Sequence, residues 1–126
     1  MVLHQPNTLR EWSKIEQGLS SRLLRLEGFR ALDRLRCVSD VTGEIIAECR
    51  SRLFQYLKKI GLVPLTERVL ARAEQSMPTV VGSLDSIHLV SALYWREQHG
   101  TDLIFATHDT QLALAANAHG FKVIGV

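Results

Sequence analysis

The sequence has no long apolar run and no recognisable leader, and both absences exclude classes of protein. No stretch approaches the roughly eighteen apolar residues that a membrane-spanning helix requires. The N-terminus, "MVLHQPNTLREW", lacks the basic flank and apolar stretch of a secretory signal. We therefore expect a cytoplasmic protein with no membrane partner.

Cysteine, aromatic residues and net charge are also low. Cys37 and Cys49 lie in helical patterns without metal-ligand spacing, so we predict reduced packing residues. The histidines do not have zinc-ligand spacing either. Aromatic residues make up 6% of the chain and the net charge is +2, so neither base-stacking platforms nor a nucleic-acid partner is evident from composition. A glycine-rich phosphate loop is missing, which disfavours a flavodoxin-like nucleotide-binding domain.

What remains is the composition of one globular domain. The chain has 126 residues, 46% hydrophobic and 22% charged, without repeats or a linker. We predict helices from Asn7 or Thr8 to Gly18, from Ser20 or Ser21 through residue 37, at 40–59, at 67–75 after the Thr66 cap, from Asp85 to His99 and from Asp109 to Gly120. The segments "LVPLT", "DLIFAT" and "FKVIGV" are predicted strands.

Strands separated by helices imply βαβ units, a parallel sheet and helices on both faces, which is an α/β fold. The unit "LIFAT–helix–KVIGV" is the clearest. Ligands of open α/β sheets bind at the carboxyl ends of the strands. His108 and Asp109 follow directly after "LIFAT" and therefore lie at that edge.

Three carboxylates are candidates for a shared site. Asp85 and Asp109 each begin a helix, and a helix cap worth about 1 kcal/mol explains either one alone. Glu27 lies near the apolar face of its helix, with an ion pair to Arg30 or to a more distant arginine as its alternative role. Clustered carboxylates repel one another unless a divalent cation neutralises them, and oxygen ligands suit Mg²⁺ or Mn²⁺.

The motifs "LDSIHLVSAL", "LIFATHDTQLALAANAHGFKVIG" and "SSRLLRLEGFRALDRL" together resemble a PIN domain, closest to the VapC toxins of VapBC toxin–antitoxin pairs. The resemblance covers about residues 10–126 and implies a three-layer α/β/α fold. It implies that Glu27, Asp85 and Asp109 are catalytic metal ligands. Thr107 would orient a carboxylate or water, and His88 would pack and form hydrogen bonds.

The sequence departs from this family at its start. PIN domains usually begin with an apolar strand that ends in a metal-binding aspartate, and this strand is central to the sheet. Nothing before residue 19 has that pattern. We therefore expect residues 1–126 to be a single PIN-like domain that is N-terminally truncated. Either the chain starts late, at an internal Met1, or it is a relative that has degenerated as a nuclease; both predict weakened catalysis.

The resemblance implies a Mg²⁺- or Mn²⁺-dependent endoribonuclease toxin that hydrolyses RNA phosphodiesters, binds a small antitoxin and forms a homodimer. Arginines of the second helix, among them Arg22, Arg25 and Arg30, would contact phosphates, or would form a solvated face. The alternative function is a catalytically degenerate module that retains antitoxin or partner binding. Its candidate contact is the apolar part of "GEIIAECRSRLFQYLKKIG", although that pattern is equally typical of a core.

Overall fold

The protein has the mixed α/β organisation expected from its sequence. A computed structural model describes residues 17–126. In chain order the elements are β1 (Gly18–Ser21), α1 (Leu23–Val38), α2 (Gly43–Lys58), β2 (Ile60–Val63), α3 (Glu67–Ala73), α4 (Ser83–His99), β3 (Ile104–Ala106), α5 (Thr110–Ala118) and β4 (Lys122–Ile124). The helix predicted from Asn7 or Thr8 lies almost wholly outside the described residues.

The strands of the described residues form two separate parallel pairs. Strand β1 pairs with β2, placing Ser20 opposite Leu62. Strand β3 pairs with β4, placing Phe105 opposite Val123. The predicted βαβ unit, β3–α5–β4, is therefore confirmed in its parallel pairing. Within residues 17–126 no strand joins the two pairs into one sheet.

The start of the first described helix was predicted wrongly. Ser20 and Ser21, expected to open a helix, lie in β1, and α1 begins two residues later at Leu23. Both serines are buried, because β1 packs against α1 and α4 as well as β2. The Leu23 amide nevertheless donates to the Ser21 hydroxyl at 3.1 Å, so a serine does satisfy one amide at the N-terminus of α1.

Three other helix ends are defined by capping threonines or by a glycine close to them in the sequence. The hydroxyls of Thr42 and Thr66 accept hydrogen bonds from the third amides of α2 and α3, at 3.3 and 3.2 Å. The α4 helix ends on Gly100 with φ +62°, a left-handed conformation in which glycine is favoured. These three ends agree with the sequence patterns around them.

The main core lies where α4 and the β3–α5–β4 unit meet. Its buried side chains include Leu89, Leu93, Phe105, Leu112 and Phe121. Burial of side chains of this size stabilises a fold by roughly 1.5–3 kcal/mol each. The core therefore fixes the carboxyl end of β3 relative to α4.

Several apolar side chains on α1 and α2 are exposed to solvent. Leu26 is 55% exposed, and Ile45 is 49% exposed. Both cysteines are free, but Cys37 is exposed, so its predicted packing role is wrong. Cys49 is partly buried. None of the helices in residues 17–126 combines the length and apolarity needed to cross a membrane.

Candidate functional site

The carboxylates of Asp109 and Glu27 both act electrostatically on the Asp85 carboxylate. Glu27 lies on the second turn of α1, Asp85 on the first turn of α4, and Asp109 immediately before α5. Partial burial and the negative charges of Asp109 and Glu27 raise the pKa of the Asp85 carboxyl, and His88 opposes this shift. Asp85 therefore lies within the electric field of both other carboxylates.

Asp85 does not cap its helix, contrary to the sequence-based expectation. The α4 helix begins at Ser83 after Gly82, and Gly82 supplies no side-chain cap. Asp85 is instead the third residue of α4, where a carboxylate interacts favourably with the positive end of the helix dipole. Its carboxylate therefore makes no capping hydrogen bond.

Asp109 is the helix cap that the sequence indicated. Its Oδ1 accepts a hydrogen bond from the Leu112 amide at 2.9 Å. Thr107 is only 1% exposed, and its hydroxyl accepts a hydrogen bond from the Asp109 backbone amide at 3.1 Å. Thr107 thus fixes the Asp109 backbone. The role that the resemblance implies for it, orienting a carboxylate or water, stays a prediction. His108 between them is exposed.

Glu27 forms a hydrogen bond with His88, and the sequence did not predict this pair. His88 Nε2 lies 2.6 Å from Glu27 Oε1, across sixty-one positions of the chain. The alternative pairing with Arg30 is wrong, since Arg30 contacts Asp33 at 3.2 Å. The hydrogen-bonding role implied for His88 is therefore observed, but its partner is set by the packing of α1 against α4.

The carboxylates provide the donor chemistry of a hydrated magnesium site. Mg²⁺ is commonly held by one or two carboxylates and keeps several waters. Asp85 makes no side-chain hydrogen bond with residues 17–126, and Asp109 retains Oδ2, so both offer hard oxygen donors. The described part of the chain contains no group of three His, Cys, Asp or Glu side chains placed to hold one ion. A three-ligand site formed by Glu27, Asp85 and Asp109 therefore stays a prediction.

The arginines predicted to bind RNA have different surroundings. Arg22 is exposed immediately before α1. The Arg25 guanidinium lies 5.4 Å from the ring centroids of both Phe29 and Phe54 and has no carboxylate partner in residues 17–126. Arg30, in contrast, is held by Asp33. Of these three arginines, Arg30 is the one with a carboxylate partner among the described residues.

Comparisons with known proteins do not assign the chain to a family. No protein-family model matches it. Neither the curated proteins nor the solved structures include a significant match. The resemblance to PIN domains therefore rests on the motifs of the sequence.

Proposed function

We propose that this protein is a Mg²⁺- or Mn²⁺-dependent endoribonuclease with a PIN-like, three-layer α/β/α fold, acting as the toxin of a type II toxin–antitoxin pair. The observation that carries the proposal is that the charges of Asp109 and Glu27 both act on Asp85. Partial burial raises the pKa of Asp85 most, and the charges of Asp109 and Glu27 raise it further; a divalent cation would remove this repulsion.

Each side chain has a defined role in this proposal. Asp85 and Asp109 would hold the cation, and Glu27 would be a further ligand. The bound cation supplies an activated water and neutralises charge on the phosphodiester. Thr107 keeps the Asp109 backbone in place through its 3.1 Å hydrogen bond. Arg22 and Arg25 receive the phosphates of a single strand.

The strand arrangement also supports a PIN-like fold. A PIN sheet without its central strand would consist of two parallel pairs, and residues 17–126 form β1–β2 and β3–β4 as such pairs. The candidate carboxylate Asp109 follows the carboxyl end of β3, where α/β proteins place their sites. The two separate parallel pairs and the position of Asp109 after β3 therefore support the proposal.

A second candidate function is a partner-binding module that no longer cleaves RNA. It is favoured by exposed apolar side chains on α1 and α2, among which Val38 is 76% exposed and Ile45 49%. Such side chains suit a small antitoxin or a second copy of the chain. Much of the candidate contact segment is less available, since Leu57 is buried and Leu53 and Phe54 are partly buried.

Cleavage of single-stranded and structured RNA by the full 126-residue chain tests the proposal. We expect cleavage with Mn²⁺ or Mg²⁺, its loss in EDTA, and its loss in Asp109→Asn. Asparagine retains the helix cap while removing the charge, so this variant controls for folding. Absence of cleavage by folded protein that still binds a partner would overturn the nuclease and favour the binding module.

A further inference from the structure

The helices α1 and α2 carry the same short pattern, an arginine followed four residues later by a phenylalanine. Arg25 and Phe29 form it on α1, and Arg50 and Phe54 form it on α2. Side chains with this spacing lie on one face of a helix. Because α1 packs against α2, the rings of Phe29 and Phe54 meet, with their centroids 4.9 Å apart. The two patterns therefore form one arginine–phenylalanine cluster across the helix pair.

Both arginines of this cluster lie over aromatic rings. The Arg50 guanidinium is 4.9 Å from the Phe29 centroid, and the Arg25 guanidinium is 5.4 Å from the centroids of both rings. A guanidinium within about 6 Å of a ring centroid is attracted to the ring. This attraction does not satisfy the N–H donors of the guanidinium, which still require acceptors. The rings therefore hold two cations whose hydrogen-bonding capacity is left over.

The charges of the cluster are not neutralised by the part of the chain that the structure describes. Within residues 17–126, neither Arg25 nor Arg50 has a carboxylate at ion-pair distance. Arg52, two residues after Arg50, is paired with Glu48 at 2.7 Å. Like charges that share one ring repel each other, so an anion between Arg25 and Arg50 would be favoured.

An open groove beside the cluster gives such a ligand room. It has a volume of about 430 Å³ and lies between α1 and Leu65, which follows β2. Its charged lining residues, among those described, are Arg22 and Arg25, and its apolar ones include Leu26 and Phe29. Phosphates pair well with the planar guanidinium, and bases contact apolar and aromatic side chains. A phosphodiester chain therefore matches both kinds of lining.

We propose that Arg25 and Arg50 together form a phosphate-binding site for a single-stranded nucleic acid, with Arg22 extending it along the groove. This inference rests on the proposed function. It adds Arg50 on α2 to the arginines proposed to contact RNA, and it makes Phe29 and Phe54 the platform that holds them. The site requires no divalent cation, because its ligand is the anionic backbone itself. Counterion release from that backbone makes the binding salt-dependent.

Binding of a labelled oligouridine to the full chain in EDTA tests this site, because EDTA prevents the proposed cleavage. Fluorescence anisotropy at several salt concentrations compares Arg50→Ala with Arg52→Ala, the matched control on the same helix. We expect Arg50→Ala to weaken binding by about tenfold and to reduce the slope of log K against log salt by about 0.7. Arg52→Ala should change both much less, because Glu48 already pairs with Arg52.

Two further variants separate the planar guanidinium from charge alone. Arg50→Lys keeps the charge but loses the planar fork of donors, so it should restore the salt slope and only part of the affinity. Because both arginines bind the same phosphate chain, the double variant Arg25→Ala/Arg50→Ala should lose less affinity than two independent losses would give. Thermal unfolding identifies the variants that fold, and Arg50→Gln replaces Arg50→Ala if the latter does not.

Three results would overturn the site. They are wild-type protein that does not bind oligouridine in EDTA, equal effects of Arg50→Ala and Arg52→Ala, and oligoglutamate that competes as well as unlabelled oligouridine. The last of these would make an acidic protein the ligand. A protein that binds oligouridine through Arg50 but cleaves no RNA with Mn²⁺ would instead overturn the proposed function and leave the site standing. The two failures are therefore distinguishable.

Discussion

Asp109 has a structural and a proposed catalytic role, and two substitutions separate them. Its Oδ1 caps α5 through the Leu112 amide. Asp109→Asn keeps a good cap and should leave stability nearly unchanged while abolishing RNA cleavage. Asp109→Ala removes the cap as well and should cost about 1 kcal/mol of unfolding free energy. Urea unfolding and RNA cleavage of both variants check this, and equal destabilisation by the two would show that the cap contributes little.

The charge of Asp85 should make the metal-free protein less stable at neutral pH. Burial and the charges of Asp109 and Glu27 raise its pKa in the fold. A raised pKa contributes stability below the unfolded value of about 3.9, and this contribution is lost as the pH rises through the folded pKa. Asp85→Asn should therefore stabilise the metal-free protein at pH 7, by less than about 1 kcal/mol because solvent screens the carboxyl. This gain in stability should disappear at acidic pH, where the Asp85 carboxyl is protonated.

Asp33 provides a matched control, because its pKa is shifted in the opposite direction to that of Asp85. The hydrogen bond and charge of Arg36 lower the pKa of this exposed carboxyl. Asp33→Asn should therefore destabilise slightly at neutral pH, where the ion pair with Arg36 is present. Urea unfolding in EDTA at both pH values compares the variants. A stabilising Asp33→Asn, or a destabilising Asp85→Asn at pH 7, would refute the electrostatic interpretation.

At the scale of elements, the close approach of β4 to the end of β3 depends on Gly125. It has φ +100°, and a Cβ there would lie 2.5 Å from the Thr107 carbonyl oxygen. Gly125→Ala should cost about 2 kcal/mol or more, because it combines backbone strain with a backbone clash. Gly100→Ala, with φ +62° but open space around the Cβ, should cost about 1 kcal/mol. Urea unfolding midpoints compare the stability of the two variants. An equal loss of stability in both would contradict the clash at Gly125.

Elements with local signals were predictable from the sequence, and β1 was not. The Thr66 hydroxyl and Gly100 mark helix ends through chemistry within one turn, so their predictions are confirmed. Asp85 resembles a cap in sequence, but Gly82 takes the N-cap position, and Asp85 lies inside the first turn. Strand β1, "GLSS", is four residues long and pairs with β2 about forty residues away. No periodicity in four residues distinguishes such a strand from the start of a helix.

At the scale of the whole molecule, the packing of α1 against α2 places Phe54 beside Arg25, one of the arginines proposed to contact RNA. Arg25 lies over Phe29 and Phe54 without a carboxylate partner in residues 17–126, whereas Arg30 is paired with Asp33. Arg25→Ala should weaken single-stranded RNA binding and reduce the salt dependence of log K by about 0.7. Arg30→Ala should change both less, because its charge is already partly neutralised.

Fluorescence anisotropy at several salt concentrations measures both arginine variants. The Asp109→Asn background prevents cleavage during the titration. Equal effects of Arg25→Ala and Arg30→Ala would show that only net charge matters. No effect of Arg25→Ala would remove this face of α1 from the RNA path.

The α/β class, the parallel β3–α5–β4 unit and the three candidate carboxylates followed from the sequence alone, because apolar periodicity and helix caps act over a few residues. The tertiary structure alone decided that Glu27 pairs with His88, not Arg30, and that Asp85 lies in the field of Asp109. These contacts join α1, α4 and α5, and their geometry depends on how the helices pack around the strands. The spacing of residues along the sequence does not give the distances between side chains on different helices.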